Sequence, residues 1–311
     1  MSEKSIKVFA PASVSNIGPG FDILGFALNE PGDEIVLKKL INSQIEIASI
    51  TGDGGKLPFD ILKNTASVAI KSLMDKYQIT DGVSIEVNKK MGLGSGLGSS
   101  AASAVGAVFA LNELFELNLS KEDLLEHALA GEFVASKAIH ADNVAPSLYG
   151  GIILIRGYEP IDIIKINTPK DLFCTIIYPD IEIKTSEARA ILPKEVPMKS
   201  VVTQTGNIAA LIYGFATENY SLISRSLKDV IVEPYRSKLI TGYDEIKQAA
   251  LEAGALGCSI SGSGPSMFAL SNSEEVANRI ALETKRVVTN IGLASVTYVS
   301  EVNQVGPKIL N

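Results

Sequence analysis

The most specific chemistry in the sequence lies in Met91-Gly-Leu-Gly-Ser-Gly-Leu-Gly-Ser-Ser-Ala101. Glycine at 92, 94, 96 and 98 removes every second Cβ, admits φ > 0 and lets successive N–H groups point into one concavity. A strand-like run, Val83–Val87, precedes the loop and an Ala-rich helical run follows it, so the positive end of a helix dipole backs the concavity. Such a loop is a phosphate cradle; a flexible turn is the blander reading, and four alternating glycines rarely serve flexibility alone. Ser99 and Ser100 would serve as helix cap and hydroxyl ligands, one of them to Mg²⁺. A Walker A loop needs Lys after its last glycine, where Ser99 stands. Gly96-Leu-Gly-Ser-Ser-Ala101 matches G-x-G-x-x-A literally, yet that fingerprint needs a parallel strand next, and another helix follows here. A nucleoside triphosphate held without a loop lysine is what remains.

Polar residues elsewhere offer a second set of candidates. Asn16 and Asp22 leave the first strand on a Gly/Pro-constrained loop, placed to hold a polar substrate or simply to make Asx turns. Glu132, mid-helix, becomes a Mg²⁺ ligand only if its face meets the phosphate loop. His140, Asp142 and Asn143 combine an imidazole, a carboxylate and an amide on a short turn, whereas His127 reads as structural. Arg189 and Arg236 lie in polar segments near proline; solvated arginines are the default, but two guanidinium forks meeting at a cleft would capture a carboxylate. Gly262-Ser-Gly264-Pro265 is a second glycine turn, either a plain hairpin or a cover closing from another domain.

The elements that must position these groups read as strands at 6–10, 34–40, 45–49 and 83–87, with helices at 65–77, 99–115 and 120–139. Ser120 and Asp123 form a capping-box pattern. A strand at 150–156 precedes rising proline and charge density around 159–170, which suggests a domain boundary. Beyond it come a strand at 172–178, a polar connection at 184–197, helices from 203 to 241 and a helix at 243–253. Strands at 258–261 and 266–270, a helix at 274–291 and a strand at 295–300 complete the chain. Helices clustered between antiparallel-looking strands give an α+β class.

Composition bounds the function. At 311 residues the chain suits two domains of about 150 residues each, and 46% hydrophobic content excludes disorder. A net charge of -7 (28 Lys+Arg against 35 Asp+Glu) argues against nucleic acid but not against phosphate. No uninterrupted apolar stretch of about 18 residues and no apolar signal core are present, so no membrane partner is expected and a cytoplasmic enzyme fits. Two distant cysteines and two histidines suggest neither a disulfide framework nor a zinc site.

Taken together, these segments resemble the GHMP small-molecule kinases, the superfamily of galactokinase, mevalonate kinase and homoserine kinase. Gly94-Ser-Gly-Leu-Gly-Ser-Ser-Ala-Ala102 is similar to its ATP loop and Gly262-Ser-Gly-Pro-Ser266 to its third motif. The resemblance implies an N-terminal domain (1–167) like the second domain of ribosomal protein S5, a ferredoxin-like C-terminal domain (168–311), and an active site between them. Within the superfamily, Ser13-Val-Ser-Asn-Ile-Gly-Pro-Gly-Phe-Asp22, His140-Ala-Asp-Asn-Val-Ala-Pro146, Thr185-Ser-Glu-Ala-Arg189 and Pro234-Tyr-Arg236 resemble the homoserine kinase family. That likeness implies ATP and L-homoserine as substrates in threonine biosynthesis, and a homodimer. Asn16, Asp22, His140, Asn143, Arg189 and Arg236 would line the homoserine site with Thr185 nearby, the arginines taking the α-carboxylate and Asp22 the ammonium or its neighbourhood. Met91, Gly92, Leu93, Gly94, Ser95, Gly96, Leu97, Gly98, Ser99, Ser100 and Ala101 would hold the phosphates, and Ser100 and Glu132 the Mg²⁺. Met91-Gly-Leu stands where the family commonly has a proline, with little consequence because backbone N–H groups do the binding. The catalytic position is ambiguous between Asp142, a base, and Asn143, which can only orient the hydroxyl. The rivals are another GHMP kinase, for mevalonate or a sugar, and a non-catalytic relative, which should have lost Ser100 or Glu132.

Overall fold

The alternating apolar residues near the start extend into a long first strand, β1 (Ser5–Ser15), followed by β2 (Leu24–Leu40) and β3 (Ile45–Thr51). The computed structural model describes residues 4–310. Helix α1 (Thr65–Lys76) starts where Asn64 Oδ1 accepts the Ala66 N–H at 3.0 Å, and β4 (Gly82–Asn88) leads into the glycine loop. Helix α2 (Ser99–Leu114) is buried on nearly every face because its Ala, Gly and Ser side chains let neighbours approach closely, which fixes the direction of its N-terminus. Helix α3 (Lys121–Ser136) opens on the expected Ser120–Asp123 capping box, and α4 (Ala141–Tyr149), β5 (Ile152–Tyr158) and β6 (Ile161–Ile166) complete the first lobe. His127 is buried on α3 and hydrogen-bonded to Ser72 Oγ at 2.7 Å, as a structural histidine should be.

The second lobe runs β7 (Phe173–Pro179), α5 (Thr185–Ala190), α6 (Met198–Ala216), α7 (Tyr220–Ser226), α8 (Glu233–Arg236) and α9 (Tyr243–Glu252). It then closes with β8 (Gly257–Ile260), β9 (Met267–Ser271), α10 (Glu274–Asn290) and β10 (Ser295–Glu301). The antiparallel sheet order β10-β7-β9-β8, with helices after its first and third strands in sequence, is the ferredoxin-like plan. A last strand, β11 (Lys308–Leu310), returns to β1 and edges the first sheet, ordered β11-β1-β2-β4-β3 with β5 and β6 branching from β2. Among the described residues only β3 and β4 pair in parallel. A division at 167/168 falls between β6 and β7 and leaves residues 308–310 hydrogen-bonded to the first lobe.

Two apolar clusters serve one lobe each, and a third joins them. Val14, Phe26, Met91 and Leu97 pack with Ile176, Phe215 and Phe268, where the Phe26 and Phe268 rings meet edge to face at 6.2 Å. Three features differ from the sequence expectation. The segment after His140 is a helix, α4, rather than a short turn; the polar connection at 184–197 contains α5; and β6 and β11 have no counterpart in the sequence reading. Among the described residues no helix is long and apolar enough to cross a membrane.

Candidate active site

Three of the four loop glycines take left-handed backbone, with φ of +67° at Gly94, +80° at Gly96 and +65° at Gly98. Gly92 answers to space instead, since a Cβ there would lie 2.5 Å from Tyr178 Oη. The loop carbonyls are turned outward and held: Ser95 O accepts from Ser266 N–H (3.1 Å), Gly96 O from Ser261 Oγ (2.7 Å) and Leu97 O from Ser13 N–H (3.1 Å). In the same trans peptides the N–H groups of Gly96, Leu97 and Gly98 point to the opposite side, as a phosphate cradle beside the start of α2 requires. The cap itself differs from expectation. Gly98 is the N-cap residue and makes no side-chain cap, while Ser99 Oγ donates to Asp33 Oδ2 at 2.9 Å. Leu93, Gly94, Ser95, Gly96, Gly98, Ser99 and Ser100 line the cleft, and Met91, Leu97 and Ala101 are buried apolar residues that support it from behind.

The same cleft, open to solvent between the lobes, is lined by Asn16, Asp22, Glu132, His140, Asp142, Asn143, Thr185, Arg189 and Arg236. The residues come from five regions: the β1–β2 loop, α3, α4, α5 and α8. Asn16 ties the lobes, because its Nδ2 donates to Gly262 O at 2.9 Å while its Oδ1 accepts the Asp22 N–H at 3.0 Å. Asp22, at φ +60°, faces the Arg189 fork with N···O distances of 3.1 Å. Arg236 is buried; its Nε donates to Ala188 O (3.1 Å) and its Nη1 to Gly262 O (2.8 Å), leaving the remaining guanidinium donors to the cleft. Phe21 lies beside both arginines, 5.5 Å from Arg189 Cζ and 5.0 Å from Arg236 Cζ.

Burial and charge set the protonation of this wall. Burial, followed by the nearby Asp22 charge, pushes the Asp142 carboxyl from 3.8 up to about 7, although His140 and a hydrogen bond from Ser15 pull the other way. Burial lowers Arg236 to about 10, so it stays cationic at neutral pH. His140 is raised by its hydrogen bond to Glu132, Nδ1 to Oε1 at 3.1 Å. Asn143 Oδ1 accepts from Ser13 Oγ at 3.0 Å, and its Nδ2 faces Asp142 Oδ1 at 3.4 Å.

A buried carboxylate and a hydroxyl beside a phosphate cradle suit Mg²⁺, which prefers oxygen donors, takes one or two carboxylates and relies on substrate phosphates for the rest. Glu132 and Ser100 fit that description on the same cleft. Among the described residues no group of three or more His, Cys, Asp or Glu side chains converges into a cage.

Sequence reasoning missed three supporting residues. Asp33 and Lys89 form a buried ion pair beneath the loop, and Tyr158 Oη donates to Asp22 O at 2.5 Å. The ion-pair partners lie 56 positions apart on strand-like ends, so no local spacing signals their meeting. Tyr158 ends β5, two residues beyond the strand expected at 150–156, so the sequence pattern of that strand does not mark it.

Comparison with known proteins places these features in a family. The family models described as "GHMP kinases N terminal domain" and "GHMP kinases C terminal" match residues 64–151 and 210–288. Homoserine kinase of Chlorobaculum tepidum is 45% identical, with 99% of each chain covered. The crystal structure of homoserine kinase from Cytophaga hutchinsonii superposes with a TM-score of 0.98 at 51% identity, covering 100% of this chain and 98% of that one. The mevalonate kinase of L. major, at 17% identity and a TM-score of 0.75, covering 97% and 98% of the two chains, shares the fold alone. The likeness at high identity covers both lobes: the chain belongs to the homoserine kinase family of the GHMP kinases.

Proposed function

We propose that the chain transfers the γ-phosphoryl group of ATP to the side-chain hydroxyl of L-homoserine, giving ADP and O-phospho-L-homoserine for threonine biosynthesis, as a cytoplasmic homodimer. One observation carries the substrate assignment: Arg189, Arg236 and Asp22 converge opposite the glycine loop, two guanidinium groups and a carboxylate that complement a zwitterionic amino acid. Arg189 pairs with Asp22. Both side chains are more than a third exposed, or nearly so (44% and 35%), and such a pair is worth under about 1 kcal/mol. An amino acid directing its carboxylate to the arginines and its ammonium to Asp22 therefore displaces little and gains a second ion pair.

The loop amides and the start of α2 hold the nucleotide phosphates in line with the substrate hydroxyl. Glu132, oriented by His140, and Ser100 would hold Mg²⁺, which when bound neutralises phosphate charge. Transfer through a loose transition state depends chiefly on alignment and charge neutralisation, and Asn143 orients the hydroxyl without removing its proton. A second reading has its own observation: a carboxyl at about 7 gives Asp142 the basicity to accept that proton. If Asn143 orients and no base acts, Asp142→Asn keeps kcat within about tenfold with a flat pH profile. A loss of about a thousandfold, with disappearance of a limb rising through pH 7, assigns the base to Asp142.

ADP release measured with homoserine, mevalonate and galactose tests the function itself. Homoserine should be the preferred substrate. Arg189→Ala and Arg236→Ala should each raise its KM by about 30- to 100-fold, as for charged hydrogen bonds of about 2–3 kcal/mol, leaving the ATP KM within about twofold. Faster turnover of galactose or mevalonate, or arginine variants with unchanged KM, would overturn the assignment.

A further inference from the structure

Beneath the glycine loop, one buried ion pair holds both ends of it. Asp33 on β2 and Lys89, just after β4, have side chains 0% and 1% exposed and are joined through Asp33 Oδ2 and Lys89 Nζ. On the incoming stem, Asp33 Oδ1 accepts the N–H groups of Lys90 (2.8 Å) and Met91 (3.2 Å). On the outgoing stem, Asp33 Oδ2 accepts Ser99 Oγ (2.9 Å), and Lys89 Nζ donates to Ser99 O (2.7 Å) and Ser103 Oγ (2.8 Å) in the first turns of α2. Neither side chain lines the cleft. A pair needed only to fill the core would be served as well by apolar residues, because desolvation offsets most of the gain from burying two charges. Here every accepted and donated bond instead ends on a loop stem.

We infer that Asp33 and Lys89 are positioning residues for nucleotide binding: together they fix the spacing and direction of the loop's two stems, so that the amides between them are arranged for phosphate before ATP arrives. The inference rests on the reading that residues 92–100 hold the nucleotide phosphates. It predicts a selective defect, in which ATP affinity falls while the amino-acid side of the cleft is unaffected.

Single variants would leave one buried charge unpaired, at a cost in stability that would mask any change in binding, so the test replaces both partners together. In Asp33→Asn/Lys89→Gln, charged bonds become neutral ones of similar shape; the ATP KM and the ADP dissociation constant, measured calorimetrically, should rise about 5- to 20-fold. In Asp33→Leu/Lys89→Met the stem bonds are gone, and both constants should rise at least about 30-fold, with the homoserine KM within about twofold in either protein. A purely structural pair would lower the melting temperature while leaving both constants unmoved. A folded double variant with ATP and ADP constants within twofold of the parent overturns the inference, and the Asn/Gln protein decides alone if the Leu/Met protein does not fold. Gly98→Ala separates the two readings: loss of ADP binding there with none in the double variants sinks the clamp alone, whereas no loss in any of them sinks the phosphate loop itself.

Discussion

Asp142 is buried where its neutral form is favoured, and the effect on stability has a definite sign. The folded protein holds its proton more tightly than the unfolded chain, with a pKa of about 7 against 3.8. The stability this contributes is complete below about pH 4 and is lost as pH rises through 7. Asparagine cannot ionise, so Asp142→Asn should melt higher than the parent at pH 8, by the equivalent of about 2–4 kcal/mol, and at the same temperature near pH 4. Thermal unfolding at both pH values checks this, and an equal difference at each would show that charge is not the cause. Residue types and local spacing marked Asp142, Asn143, both arginines and the glycine loop, because each stands in a short run of polar or glycine residues. Asp33 and Lys89 escaped notice because an ion pair between distant strand ends leaves no trace in either neighbourhood.

At the level of elements, the capped and strongly periodic helices were legible and the short ones were not. Asn64 and the Ser120–Asp123 box mark α1 and α3 in the sequence, but α4 and α5 start with no side-chain cap hydrogen bond and run for nine and six residues. Helix α4 also contains Pro146, which lacks the N–H that would otherwise reach the Asp142 carbonyl. Gly25 of β2 packs onto that carbonyl: a Cβ there would stand 2.0 Å from Asp142 O and 2.8 Å from Pro146 Cγ. Gly25→Ala must therefore push α4 away from the sheet, carrying Asp142 and Asn143 with it. A stability loss of about 1–3 kcal/mol is expected, together with a fall in kcat of more than about tenfold. Chemical denaturation and steady-state kinetics on the same preparation check both, and full kcat would show that α4 does not set the catalytic geometry.

For the molecule as a whole, the order of elements made the α+β class legible, whereas the ferredoxin-like plan of the second lobe followed only from the family resemblance. The joining of the lobes was not legible, because it depends on which apolar side chains cross between them. Phe26, Met91 and Leu97 share one core with Phe215 and Phe268, and hydrogen bonds from Asn16 to Gly262 O, Ser261 to Gly96 O and Ser266 to Ser95 O tie the lobes across it. The lobes should accordingly unfold together. Calorimetry should show a single cooperative transition, raised by the equivalent of about 2.7 kcal/mol at a hundredfold excess of ATP over its dissociation constant. Two transitions, with only one responding to nucleotide, would contradict that.

The return of β11 to β1 has a consequence for biosynthesis. Lys7 pairs with Leu310 and Phe9 with Lys308, so the first-made strand keeps an open hydrogen-bonding edge until a partner some three hundred positions later is translated. At roughly 5–20 residues per second, that is about 15–60 s during which a nascent chain exposes a strand edge, a natural point for chaperone capture on the ribosome.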